Sequence, residues 1–288
     1  MTQASKWLAA ARPRTLPAAV VPVAVGIAVG DVTGIVTWWK GALALVVALC
    51  LQIGTNYAND YSDGSRGTDE RRVGPVRLVA SGLATPQAVR NAAVAVFLIG
   101  AIAGLVLALT TSLWVIPVGA GAIAAGYLYT GGPRPYGYAG FGELFVFVFF
   151  GLVAVVGTVY VTSGHFPALG FVAAIPVGLC SVALLVVNNL RDITTDAASN
   201  KRTLAVHLGP GRTRVLYVGC VVVAVASVLG VSYYRHFALI ALVAFIPAAS
   251  PIRVVLSKAG GKELVAALAM TGALQLILGA LLVLGIVL

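Results

Sequence analysis

Acidic side chains are nearly missing from this sequence: 288 residues carry nine Asp and Glu against nineteen Lys and Arg. Charged residues of both signs make up 10% of the chain, where a soluble domain carries about 25%. With 60% hydrophobic residues and a mean hydropathy of +0.99, a soluble fold has nowhere to put the apolar surface, and that class is excluded. Histidine and cysteine are equally sparse, at three each. Cys50, Cys180 and Cys220 stand singly inside apolar runs with no metal-ligand spacing, so they read as small buried hydrophobes and exclude a thiolate metal site. His165 and His236 fall in short loops and carry no evident role.

What the sequence has instead is bilayer-length apolar runs. Nine are expected, at roughly 15–32, 41–58, 88–109, 113–129, 141–162, 168–190, 215–232, 237–254 and 264–287. The first is broken by Pro17 and Pro22; eight further runs behind it make it an uncleaved first helix, not a signal peptide. With the N-terminus in the cytosol, 17 of the 19 basic residues fall on the inner side, leaving only Lys40 and Arg235 outside. That bias follows the positive-inside rule, and it accounts for the net charge of +10 without a nucleic-acid partner. The expected architecture is all-α and polytopic, in contact with the lipid bilayer over most of its surface.

Four of the nine acids crowd into one stretch, Asn56 to Glu70, at the end of the second run. A second polar cluster, Asn188, Asp192 and Asp196, ends the sixth. The same offset of 132 residues separates Asn56 from Asn188 and Asp60 from Asp192. Four runs lie between them, so both helices point the same way, as in two parallel four-helix repeats with a ninth helix appended. Spacings of three and four place Asn56, Asp60 and Asp63 on one helical stripe, with Asn59 beside it, and Asn188, Asp192 and Asp196 on another. If the stripes meet, carboxylates about 5 Å apart repel by roughly 3 kcal/mol at an effective dielectric of 20, and something positive must sit between them. Carboxylate and amide oxygens without His or Cys suit Mg²⁺, which shares its shell with water and phosphate. Arg66, Arg71, Arg72 and Arg77 follow the first cluster, and Arg191, Lys201 and Arg202 accompany the second; guanidinium forks suit a diphosphate. A third polar segment, Tyr127 to Glu143, is rich in Gly, Pro and Tyr and reads as an irregular inner loop. There, tyrosine faces could stabilise a carbocation and Arg134 could meet a carboxylate.

Asn59-Asp60-x-x-Asp63 and Asp192-x-x-x-Asp196, set in nine runs, resemble the UbiA superfamily of intramembrane prenyltransferases. Arg12-Pro13-Arg14-Thr15-Leu16-Pro17, Gly74-Pro75-Val76-Arg77-Leu78, Arg134-Pro135-Tyr136-Gly137-Tyr138 and Asn188-Asn189-Leu190-Arg191-Asp192 are similar to its menaquinone branch, which prenylates 1,4-dihydroxy-2-naphthoate. The resemblance implies one transmembrane domain over 1–288, in a bacterial plasma membrane, with its site facing the cytosol. It implies Mg²⁺-dependent transfer of a polyprenyl group from polyprenyl diphosphate to 1,4-dihydroxy-2-naphthoate, with loss of CO₂. By motif match, Asn59 and Asp63 would hold one ion and Asp192 and Asp196 the other, with Asn56, Asp60 and Asn188 as further oxygen donors. Arg14, Arg72, Arg77 and Lys201 are then candidates for the diphosphate, and Tyr129 and Arg134 for the aromatic acceptor. Asp63, Asp192, Asp196 and Lys201 would carry catalysis. Two positions depart from the family pattern: Gly67 stands where an acid is usual, with Asp69 two places on, and His207 replaces a common Arg. A 4-hydroxybenzoate or homogentisate acceptor within the same superfamily, and a transporter outside it, are the alternatives.

Overall fold

Proline decides where the first helices begin and bend. Pro13 opens a single 3₁₀ turn and Pro17 starts the long helix that follows, so helix α1 (Gln3–Ala10) and α2 (Pro17–Thr33) meet at a bend of 55°. The computed structural model describes residues 2–67, 76–257 and 260–288, with the side chains of Gln3 and Lys262 outside that description. Arg72 and Asp69 therefore lie outside the described residues.

After α2 come α3 (Trp38–Ser65), α4 (Pro86–Thr110), α5 (Val115–Leu128), α6 (Gly142–Ser163), α7 (Ala168–Ala198), α8 (Leu204–Tyr234), α9 (His236–Leu256) and α10 (Gly261–Val287). Among the described residues there is no strand. Local signals place the ends. Thr85 caps α4 by accepting the Ala88 N–H at 3.2 Å with Pro86 behind it, and Thr203 does the same for Val206 at the start of α8.

Among the described residues seven helices are long and apolar enough to cross a bilayer, and eight if the bent first pair makes one span. This is a multi-pass membrane protein, with Ile102, Leu109, Ile116, Val222 and Ile246 on its exposed apolar belt. α5 stands outside that count, because it has only 14 helical residues where about 20 are needed to cross unaided. The two acidic clusters are also more ordered than loops: α3 runs on to Ser65 and α7 to Ala198, so both motifs lie on closing helical turns.

α7 is the most enclosed span. It anchors the main core with α2, α6, α8, α9 and α10, through residues such as Val25, Val155, Ala183, Tyr217 and Leu278. α6 approaches α7 through a π-helical stretch, Phe147–Val153, in which Gly151 faces Gly178. A Cβ on Gly151 would lie 2.8 Å from the Gly178 Cα, so only glycine permits the contact. A smaller core joins α1, α3 and α4 around Trp7, Tyr57, Leu78 and Phe97, and holds the motif end of α3 in place.

Candidate active site

The first motif is buried on every member: Asn56, Asn59, Asp60 and Asp63 are 1–7% exposed. A buried polar group without a partner costs free energy, so the partners define what each residue is for. Asn56 donates to the Ala11 carbonyl at 3.0 Å and to Thr15 Oγ1 at 3.3 Å, tying α3 to the bend before α2. Asn59 Oδ1 accepts the Thr130 hydroxyl at 2.7 Å. Asp60 takes the Leu78 N–H at 2.8 Å on one oxygen and the Val79 N–H at 3.1 Å on the other. Its carboxylate thus fixes the return of the chain after the motif and sets neighbouring Arg77 beside Asp63, at 3.8 Å. Asp63 accepts the Tyr138 hydroxyl at 2.8 Å on Oδ1, and its Oδ2 lies 3.6 Å from Lys201 Nζ.

On α7, Arg191 grips Asp192 with both arms of its fork, at 2.8 and 2.7 Å, and donates to Asn188 Oδ1 at 2.9 Å. The chain then turns at Asn200, whose φ of 57° is left-handed, and the Lys201 N–H returns to the Asp196 carbonyl at 2.9 Å. That turn aims Lys201 back across the site. Its ammonium is 3.7 Å from Asp196 Oδ1 and 3.6 Å from Asp63 Oδ2, and 5.2 Å from the centre of the Tyr138 ring. One cation therefore joins two motifs more than 130 residues apart in sequence. Each acidic group has a positive or N–H partner: Asp60 the backbone, Asp63 Arg77 and Lys201, Asp192 Arg191, Asp196 Lys201.

Asn56 and Asn59 of the first motif and Asn188 of the second line a cavity of about 870 Å³. Arg12, Gln52, Asn56, Asn59 and Asn188 line its polar end, and Phe145, Phe149 and many small apolar residues line the rest. Tyr129 joins the lining at the C-terminal end of α5.

The candidates named from sequence thus separate. Asn56, Asn59, Asp60, Asp63, Arg77, Asn188, Asp192, Asp196 and Lys201 converge on one end of the bundle, and Tyr129 lines the cavity. Arg14 and Arg134 are exposed instead. Arg12, not Arg14, lines the cavity, because its left-handed φ of 55° turns it inward ahead of Pro13. Sequence reasoning did not pair Thr130 with Asn59, Tyr138 with Asp63 or Glu143 with Asn189, the last two joined at 3.0 Å. No spacing signal links residue 138 to residue 63; only the fold does.

The donor set fits Mg²⁺. It is made of carboxylate and amide oxygens, buried beside basic partners that a divalent ion can replace. Among the described residues no three or more His, Cys, Asp or Glu side chains gather closely enough to hold a metal ion by themselves.

The model of the UbiA prenyltransferase family matches residues 19–270. The chain belongs to that family. It is 51% identical over 280 residues to the 1,4-dihydroxy-2-naphthoate octaprenyltransferase of Mycobacterium tuberculosis, covering 96% of this chain and 95% of the relative. The enzyme of the same name from Escherichia coli is 37% identical over 229 residues, covering 74% of this chain and 72% of that one. Among solved structures, an apo UbiA homologue from Aeropyrum pernix superposes with a TM-score of 0.66 at 15% identity, covering 99% of this chain and 98% of that one. A UbiA homologue from Archaeoglobus fulgidus bound to DMAPP and Mg²⁺ gives 0.60 at 17%, covering 96% and 99%. At these identities the structures speak for the fold of this family member.

Proposed function

We propose that the protein transfers a polyprenyl group from its diphosphate to 1,4-dihydroxy-2-naphthoate with loss of CO₂, forming demethylmenaquinone. The observation that carries the reading is Lys201, held within 3.7 Å of both Asp63 and Asp196, whose helices α3 and α7 present Asn59 and Asn188 to an apolar cavity. Relatives named for this reaction at 51% and 48% identity supply the acceptor.

Asn59 and Asp63 would hold one Mg²⁺, and Asp192 and Asp196 a second, with Asn188 near the latter. Bound there, the metal would act as a Lewis acid on the diphosphate and ease departure of that leaving group. Asp60 and Asn56 also hold the surrounding chain: Asp60 accepts the Leu78 and Val79 N–H groups, and the Asn56 amide donates to the Ala11 carbonyl and the Thr15 hydroxyl. Lys201 and Arg77 supply preorganised cationic donors for the diphosphate. As the allylic C–O bond breaks, the diphosphate keeps the electron pair, and the electron-rich ring attacks the allylic carbon. The ring carboxylate then leaves as CO₂ and its bonding pair returns to the ring. The apolar cavity keeps water from the cation, and Tyr129 and Phe145 offer it aromatic faces.

The protein is read as one domain over 1–288 in a bacterial plasma membrane. The N-terminus and the site face the cytosol, and α5 and the bent α1–α2 pair complete nine spans as two parallel repeats plus one. The inward bias of the basic residues and the shared end of the two motifs support this topology. The test is an assay of purified protein in detergent with Mg²⁺ and octaprenyl diphosphate, offering dihydroxynaphthoate against 4-hydroxybenzoate. Prenylated naphthoquinol with stoichiometric CO₂ is expected. Transfer to 4-hydroxybenzoate alone, or none, would overturn the acceptor or the reaction.

A further inference from the structure

Two glycines deep in the cavity wall carry no role in the chemistry above. Gly119 on α5 and Gly157 on α6 both line the cavity, and a Cβ built on either meets no atom within 4 Å. That open space is the bore of the cavity itself, so any side chain there would project into it. Most glycines of the bundle differ: Gly54, Gly126 and Gly178 would drive a Cβ to within 3 Å of a neighbour. Those are closed packing contacts, whereas Gly119 and Gly157 keep a passage wide.

Depth follows from helix geometry. Gly142, whose Cβ would touch the Tyr129 ring at 3.1 Å, marks the level of the polar end on α6. Gly157 lies fifteen residues further along, roughly 22 Å at 1.5 Å per residue. Gly119 lies ten residues before Tyr129 on α5, roughly 15 Å from the same level. An extended chain advances about 1.2 Å per backbone bond, so a four-bond isoprene unit covers roughly 5 Å. Gly119 then stands beside about the third unit of a prenyl tail, and Gly157 beside the fourth or fifth.

We infer that Gly119 and Gly157 set the length of prenyl donor the protein accepts, by leaving the cavity open past the third to fifth isoprene unit. The inference rests on the prenyl-transfer reading. Gly121, also with an open Cβ position but exposed and away from the cavity lining, is the internal control.

The experiment measures kcat/KM for geranyl, geranylgeranyl and octaprenyl diphosphates in wild type, Gly119→Phe, Gly157→Phe and Gly121→Phe. Gly119→Phe and Gly157→Phe are expected to lower the ratio of octaprenyl to geranyl turnover by at least about tenfold, as one misfitted group does in a shaped pocket. Gly121→Phe is expected to keep the wild-type ratio. Gly119→Leu and Gly157→Leu, measured alongside, secure the result should a Phe variant fail to insert. Active wild type with an unchanged ratio in both cavity variants overturns the inference alone, because the tail would then leave the bundle before reaching these positions. Wild type that transfers no prenyl group of any length overturns the functional reading and this inference with it.

Discussion

Replacing Lys201 by Met removes a cation shared by the two motifs while keeping the length of the side chain. In the native site its ammonium is 3.6 Å from Asp63 and 3.7 Å from Asp196, with the Lys201 and Asp63 side chains 8% and 2% exposed. At such distances each attraction is about 4 kcal/mol at an effective dielectric of 20, before desolvation is subtracted. Asp63 would keep Arg77 at 3.8 Å, and both carboxylates would lose the Lys201 ammonium. Removing one partner from a buried pair typically costs about 3–5 kcal/mol, because the other charge is left buried. With roughly 2–4 °C of melting temperature per kcal/mol for a chain of this size, the loss is on the order of 10 °C. Thermal unfolding in detergent measures it directly. A double-mutant cycle with Asp63→Asn then isolates the Lys201–Asp63 coupling, expected at about 1–3 kcal/mol. Prenyl transfer by Lys201→Met is expected to fall by at least about a hundredfold, since a preorganised donor to the leaving group is lost. A variant that melts within a degree of wild type and turns over normally would refute the bridging role.

Other substitutions separate chemistry from scaffolding. Asp63→Asn and Asp192→Asn are expected to abolish turnover, below about 1% of wild type, while insertion and purification remain normal; wild-type activity in either rejects the metal assignment. Asp60→Ala deletes two charge-assisted hydrogen bonds to Leu78 and Val79 and is expected to cost about 2–4 kcal/mol in unfolding measurements. Because Arg77 rides on that segment, the same variant is expected to raise KM for the prenyl diphosphate. Arg191→Lys keeps the charge but loses the two-armed grip on Asp192 at 2.8 and 2.7 Å, and a fall in kcat of about tenfold is expected from initial rates. Chelation by EDTA is expected to stop transfer, with Mg²⁺ restoring it.

Much of this site could be read before the fold was known, because its signals are compositional and periodic. In a chain with nine acids, the equal offset of Asn56–Asn188 and Asp60–Asp192 already pairs the two helix ends. Side-chain periodicity also put Asn56, Asp60 and Asp63 on one helical face. What escaped is long-range. Tyr138 and Thr130 belong to the loop after α5, yet they hydrogen-bond Asp63 and Asn59 some seventy residues earlier. The choice between Arg12 and Arg14 depended on one left-handed residue before Pro13, which local propensity does not announce. The division of labour among the acids was equally hidden: Asp60 and Asp63 are three residues apart, but one meets backbone amides and the other meets cations. The continuation of α3 and α7 beyond their apolar windows has the same origin, since tertiary contacts hold those polar turns where hydropathy alone would end them.

Proximity of the two acidic motifs is tested most directly by cross-linking. With Cys50, Cys180 and Cys220 replaced by Ala, the Asp63→Cys/Asp196→Cys protein would be treated with a short thiol-specific bifunctional reagent and cleaved between α3 and α7. The two fragments are expected to remain joined, since one ammonium reaches both native side chains. Fragments that separate, although each cysteine alone reacts with the monofunctional reagent, would contradict the account.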